Sequence, residues 1–176
     1  MRLGVHALSK AENQFFGNES VERGTIVNVW RQMGVTDVKL VTDSDSQVKA
    51  AKWLIEQGFR VMVRFYKPAI ALEAVPDDQL VKFRDVGVQV VEGYVNEPEL
   101  EWGKYPTPEV IHDLARAYIR FADACGRVRL TPVTPAIQGD RVYSWFEPMI
   151  ARIIALGRHD ALQKCIIGVH PRPDNN

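Results

Sequence analysis

Short apolar runs rich in β-branched residues recur along the chain: RLGVHAL at 2–8, DVKLVTD at 37–43, RVMVRFY at 60–66, VQVVEGYV at 88–95, VRLTPVT at 128–134 and CIIGVH at 165–170. Each has the length of a strand, and the segments between them carry apolar residues three and four positions apart, the period of a helix. The clearest helical pattern runs from Pro108 to Cys125. Ile111, Leu114, Ala115, Tyr118, Ile119 and Ala122 form one stripe, and Asp113, Arg116, Arg120 and Asp123 lie opposite. A helix of that kind packs one face on a sheet and leaves the other in water.

The boundaries carry their own chemistry. Gly34, Gly58, Gly87, Gly126 and Gly157 each follow a helical segment, where a residue without Cβ accepts the left-handed conformation that ends a helix. Ser46 and Thr107, the latter followed by Pro108 and Glu109, are placed as helix starts, because a hydroxyl caps free N–H groups and proline suits the first turn.

Strands that are apolar on both faces and alternate with helices imply right-handed parallel βαβ units. The expected fold class is therefore α/β, in one domain over residues 1–176, and two architectures fit: a doubly wound open sheet or a TIM-type (β/α) barrel. The strand ends favour the barrel. His6, Asp43, Arg64, Tyr66, Asn96, Glu97, Thr131, Thr134 and His170 sit at or near them, and a barrel gathers such ends on one face. HALSKAENQFFGNES, after the first strand, also lacks the glycine-rich turn of a dinucleotide-binding sheet. A full barrel takes about 250 residues, so the chain reads as a barrel stopping after its sixth strand. That reading leaves an apolar interior partly bare and open edges that invite self-association.

Composition narrows the function classes. The 22 basic and 22 acidic side chains balance without long runs of one sign, which argues against nucleic acid as a partner. No apolar stretch approaches the roughly 20 residues that span a membrane. The start MRLGVHAL reads as a strand rather than a leader, leaving open a cytoplasmic protein or a secreted one whose leader has been removed. Cys125 and Cys165 have no disulfide or metal-type spacing and read as small buried thiols.

The densest candidate chemistry lies in EGYVNEPELEWG, Glu92 to Gly103. A glutamate at a barrel-strand end is held rigidly at the mouth, as general acid catalysis requires. The segment VVEGYVNEPEL resembles the fourth strand of the clan of retaining (β/α) barrel glycoside hydrolases, the cellulase-like and β-galactosidase-like enzymes. That resemblance implies hydrolysis of O-glycosidic bonds in a carbohydrate substrate, with Glu97 as acid/base and Asn96 binding the hydroxyl beside the attacked carbon. It further implies site roles for Arg64 and for His170. Tyr66 and Trp102 are candidates to stack on sugar faces, and His6 is a weaker candidate on the first strand. The clan's nucleophile belongs to a seventh strand that this reading does not find, and Glu147, ahead of Pro148, reads as a helix start rather than a substitute. Glu92 reads as a buried carboxylate paired with Arg64 or Arg129. No cofactor or metal is implied.

Two other readings stay open. One is a noncatalytic carbohydrate-binding or assembly module on a partial barrel. The other is a metal-dependent sugar-processing barrel, for which His6, Asp43, Glu97 and His170 are the residues available as ligands.

Overall fold

The computed structural model describes residues 3–7, 21–43, 45, 47–67, 70–138 and 141–170. Its elements run β1 (Leu3–Ala7), α1 (Val21–Gln32), β2 (Val35–Thr42), α2 (Val48–Glu56), β3 (Arg60–Phe65), α3 (Asp77–Asp85), β4 (Val90–Glu92), α4 (Pro98–Glu101), α5 (Pro108–Val128) and β5 (Thr131–Val133). After β5 come β6 (Ile137–Gln138), a π-helical turn (Val142–Phe146), α6 (Glu147–Ala155), α7 (Asp160–Gln163) and β7 (Val169–His170).

Strands β1 to β5 form one sheet in sequential order, and every pair is parallel. The run CIIGVH extends that arc: Ile166 bridges Val133 in parallel, accepting the Thr134 N–H and donating its own to Pro132 O. Its end, β7, pairs instead with β6. Five to six parallel strands with intervening helices make this an arc of a TIM-type barrel, in agreement with the sequence pattern.

The outer face of the arc holds the larger core. Val38, Leu40, Val61, Val63, Phe65 and Val91 pack against Val27 of α1, Ala50 and Leu54 of α2, Leu80 and Phe83 of α3, and Phe121, Ala124 and Cys125 of α5. Phe65 meets Phe83 edge to face, with ring centroids 5.4 Å apart. A second core joins α5 to α6 through Ile111, Leu114, Tyr118, Trp145, Met149 and Ile153. The stripe read from α5 lies wholly in this second core, while Phe121, Ala124 and Cys125 of the same helix face the first. On its polar side, Arg120 reaches the carbonyl of Leu72 at 3.0 Å.

The inner face differs from its expected apolar character. Side chains alternate along a strand, and the positions opposite the core include Asp37 and Lys39 on β2, Arg60, Met62 and Arg64 on β3, and Val90 and Glu92 on β4. Three ion pairs line it: Asp37–Arg60, Lys39–Glu92 and Arg64–Glu101. In place of the expected arginine, Lys39 forms an ion pair with Glu92, and Arg64 forms one with Glu101. Arg129 is instead the left-handed residue that ends α5, at φ 62°.

Most of the boundary chemistry holds. Gly34, Gly58, Gly87 and Gly157 all have positive φ. Gly126 does not end its helix, because α5 runs on to Val128 and Arg129 takes the left-handed position. Thr107 caps α5, accepting the Val110 N–H at 3.4 Å, with Pro108 in the first turn. Ser46 lies outside the described residues; Gln47 holds the cap position of α2, and its side chain does not cap. Among the described residues no helix is long and apolar enough to cross a membrane.

Candidate functional site

Strand β4 pairs only to Glu92, so Asn96 and Glu97 do not sit on the ladder itself. Gly93 turns the chain beneath α5: a Cβ there would stand 3.0 Å from the Phe121 ring. Asn96 is then fully buried, and the Glu97 N–H is held by Ala136 O at 2.8 Å. Glu97 adopts a left-handed backbone, φ 40° and ψ 54°, and starts the single turn α4 with Pro98 behind it. Its carbonyl accepts the N–H groups of Leu100 and Glu101, both at 2.8 Å.

That turn brings Glu101 onto the face of Glu97, since residues four apart on a helix are neighbours. Arg64, near the end of β3, donates to Glu101 Oε1 at 2.5 Å. The Asn96 amide donates to the same oxygen at 3.4 Å and to Glu97 Oε2 at 3.5 Å. Burial pushes the Glu101 carboxyl above its ordinary value; the nearby Glu97 charge adds to this, and Arg64 and Asn96 oppose it. A half-buried carboxyl that retains its proton more readily and lies against a guanidinium and an amide can give or take a proton.

Around this centre, Tyr66 is partly exposed, with the Arg64 guanidinium 5.8 Å from its ring centroid. Glu99 accepts the backbone N–H of Gln138 at 2.7 Å, which ties α4 to β6. A cleft of about 830 Å³ opens over the inner face, lined by Lys39, Arg60, Met62, Val90 and Ile166 among others. It lies toward the starts of the strands and does not include Asn96 or Glu101.

Of the residues expected at the site, Arg64, Asn96 and Glu97 come together, and Tyr66 lies beside them. Trp102 does not join them as a stacking platform. It is buried in the second core with Ile111 and Trp145, because the end of α4 folds it inward. The backbones of His6 and His170 belong to β1 and β7, His6 in register with Lys39 and His170 with Gln138. Their side chains lie outside the described residues. Glu101 was not among the expected site residues, although its spacing of four from Glu97 was present in the sequence. Among the described residues no three His, Cys, Asp or Glu side chains gather closely enough to hold a metal ion.

No family model matches the chain, and no curated protein matches it. Among solved structures, the chain is similar to one described as the structure of L-ribulose 3-epimerase, at a TM-score of 0.54 and 14% identity. The likeness covers 97% of this chain and 60% of that one, so the chain spans about 60% of the epimerase's length. At this identity the likeness speaks for the fold, a TIM-type barrel. It also corrects the resemblance to retaining glycoside hydrolases drawn from Asn96-Glu97-Pro98: the neighbour is a sugar epimerase, and hydrolysis of glycosidic bonds by Glu97 is unsupported. The physical reason for the misreading is local. The tripeptide marks a left-handed start to a helical turn, with Glu97 and Glu101 on one face of it, rather than a carboxylate projecting from a strand end.

Proposed function

We propose that the chain is a sugar-processing barrel unit that moves a proton on a small carbohydrate, with Glu101 as the proton-carrying group. The observation that carries this reading is the half-buried Glu101 carboxyl, raised above its ordinary value and bracketed by Arg64 and Asn96. In an open-chain ketose, the hydrogen on the carbon next to the carbonyl is the labile one. A carboxylate removes it, and its return to either face gives back the sugar or its epimer, with no oxidant or reductant consumed. Once the ligand displaces the Glu101 contact, Arg64 and Asn96 donate to sugar oxygens, and Tyr66 covers one face of the ligand. The fold likeness to an epimerase is compatible with this chemistry.

The test is proton exchange. The chain is incubated in deuterated water with a panel of ketopentoses, with and without an added divalent cation, and deuterium incorporation is followed by NMR. Incorporation is expected at the carbon beside the carbonyl, and Glu101→Gln is expected to slow it by roughly 10²–10⁴-fold, the usual range for loss of general acid–base catalysis. Equal exchange by the variant, or none by the native chain, would overturn the reading.

A further inference from the structure

Parallel strands share a fixed hydrogen-bond rule, and the chain departs from it beside the proposed site. A paired residue donates its N–H to one residue of the neighbouring strand, and its carbonyl accepts the N–H two residues further along that strand. Ile166 does both: its N–H goes to Pro132 O at 3.0 Å, and its carbonyl accepts the Thr134 N–H at 2.9 Å. Glu97 makes the first of these bonds, to Ala136 O at 2.8 Å. By the same rule the second would run from the Gln138 N–H to the Glu97 carbonyl. That carbonyl is turned aside by the left-handed backbone and accepts the N–H groups of Leu100 and Glu101, while the Gln138 N–H is donated to Glu99 Oε1 at 2.7 Å.

We propose that Glu99 is a positioning residue: its carboxylate takes the ladder place that the Glu97 carbonyl gives up, so that α4 can begin there and carry Glu101 to Arg64. A backbone carbonyl cannot both continue a ladder and start a helical turn without the two competing for it. Glu99 removes the competition by supplying a second acceptor from the turn itself. Its other oxygen, Oε2, is buried with no hydrogen-bond partner among the described residues. Burying an oxygen in that way is unfavourable, so this side chain is placed for the bond that Oε1 makes. The groups that act on Glu101 are Arg64 from β3 and Asn96 and Glu97 from the segment before α4. The purpose of the arrangement rests on the proposed sugar site, but the arrangement itself is read without any sugar.

The experiment reads the turn by amide hydrogen exchange at Leu100 and Glu101. It reads the carboxyl that the turn carries by carbon-13 titration, with the Glu101 signal assigned through Glu101→Gln. In Glu99→Ala the Gln138 N–H competes for the Glu97 carbonyl and α4 loosens. Exchange at Leu100 and Glu101 is expected to rise about tenfold or more, the weight of one hydrogen bond to a charged group. The Glu101 midpoint is expected to fall toward the ordinary carboxylate range, because burial is the largest cause that holds it up. Glu99→Gln keeps the Oε1 acceptor and should keep both the native exchange and the native midpoint. Thr131, whose N–H is held by Gln89 O at 2.9 Å within the main sheet, is the reference and should not change. If Glu99→Ala does not fold, Glu99→Asp, which draws the carboxylate back by one methylene, takes its place with the same expectation.

Native exchange and a native midpoint in Glu99→Ala would overturn the proposal. So would a Glu99→Gln that behaves like the alanine variant, or a rise at Thr131 equal to that at Leu100 and Glu101. Failure of both Glu99→Ala and Glu99→Asp to fold would overturn it too, by making Glu99 a residue of the fold rather than of the site. No step needs turnover: a chain that exchanges no sugar proton can still show this dependence, and an active one can lack it.

Discussion

The two faces of the same strands have opposite characters. Outward from β2 and β3 stand Val38, Leu40, Val61, Val63 and Phe65, closed over by four helices. Inward stand Asp37, Lys39, Arg60 and Arg64, crossed by ion pairs. A barrel interior is usually filled by branched apolar layers. Here the apolar driving force sits on the helix side, and the inner side carries charges held in ion pairs. Folding and site assembly thus rest on different physics within one sheet: non-directional burial outside, specific pairing inside.

This contrast is open to attack, beginning with the outer face. Phe83→Ala removes a fully buried ring that packs edge to face on Phe65, and it should cost about 3–5 kcal/mol in chemical denaturation. A loss below about 1 kcal/mol would mean that the outer layer is not the main source of stability.

On the inner face, Lys39→Met alone should cost on the order of 3 kcal/mol by removing the cation paired with buried Glu92. Lys39→Met with Glu92→Leu should lie near the native stability or above it, because matched apolar groups escape the desolvation that a buried pair incurs. If the double variant is as unstable as the single one, the pairing contributes more than charge matching.

Glu101 gives a smaller effect with a definite sign. Its carboxyl is held above its ordinary value by burial, so the folded state binds its proton more tightly than the unfolded chain. The resulting stabilisation is full below the unfolded carboxyl range, near pH 4.3, and is lost as pH rises through the raised folded value. Glu101→Gln should remove that fall, so its stability relative to the native chain should improve from about pH 4 to pH 7. A difference that is flat with pH would contradict the burial of this group. Smallest of all is the rim pair Asp37–Arg60, whose side chains are 39% and 46% exposed. Arg60→Ala should cost less than about 1 kcal/mol, and high salt should erase the difference.

The outer face was legible in the sequence because burial leaves a period. The runs at 37–43 and 60–66, and in the second core the stripe from Ile111 to Ala122, are repeated choices of residue type, and the strands and helices lie where those choices put them. The inner face was less legible because a charged residue on a strand looks the same whether it meets water or a partner. Lys39 gave no sign that it reaches Glu92 across an intervening strand, since that pairing depends on register between segments far apart in the chain. Asn96-Glu97-Pro98 misled for a related reason. Three residues do not reveal a left-handed turn, and that turn brings Glu101, four residues further on, against Arg64 and Asn96. Trp102 shows the same limit, as an aromatic beside a site that the end of α4 folds into a core.

The left-handed backbone of Glu97 sets survival against usefulness at a single codon. That conformation costs an ordinary side chain about 1–2 kcal/mol, a penalty that glycine escapes and asparagine largely avoids. Laboratory evolution scored only on heat resistance would therefore drift toward Glu97→Gly or Glu97→Asn, erasing the carboxylate that adds to the proton affinity of Glu101. If the proposed proton exchange is what the site does, evolution scored on that exchange would hold glutamate there against the strain. Which residue a mutagenised population settles on would reveal which of the two pressures it had felt.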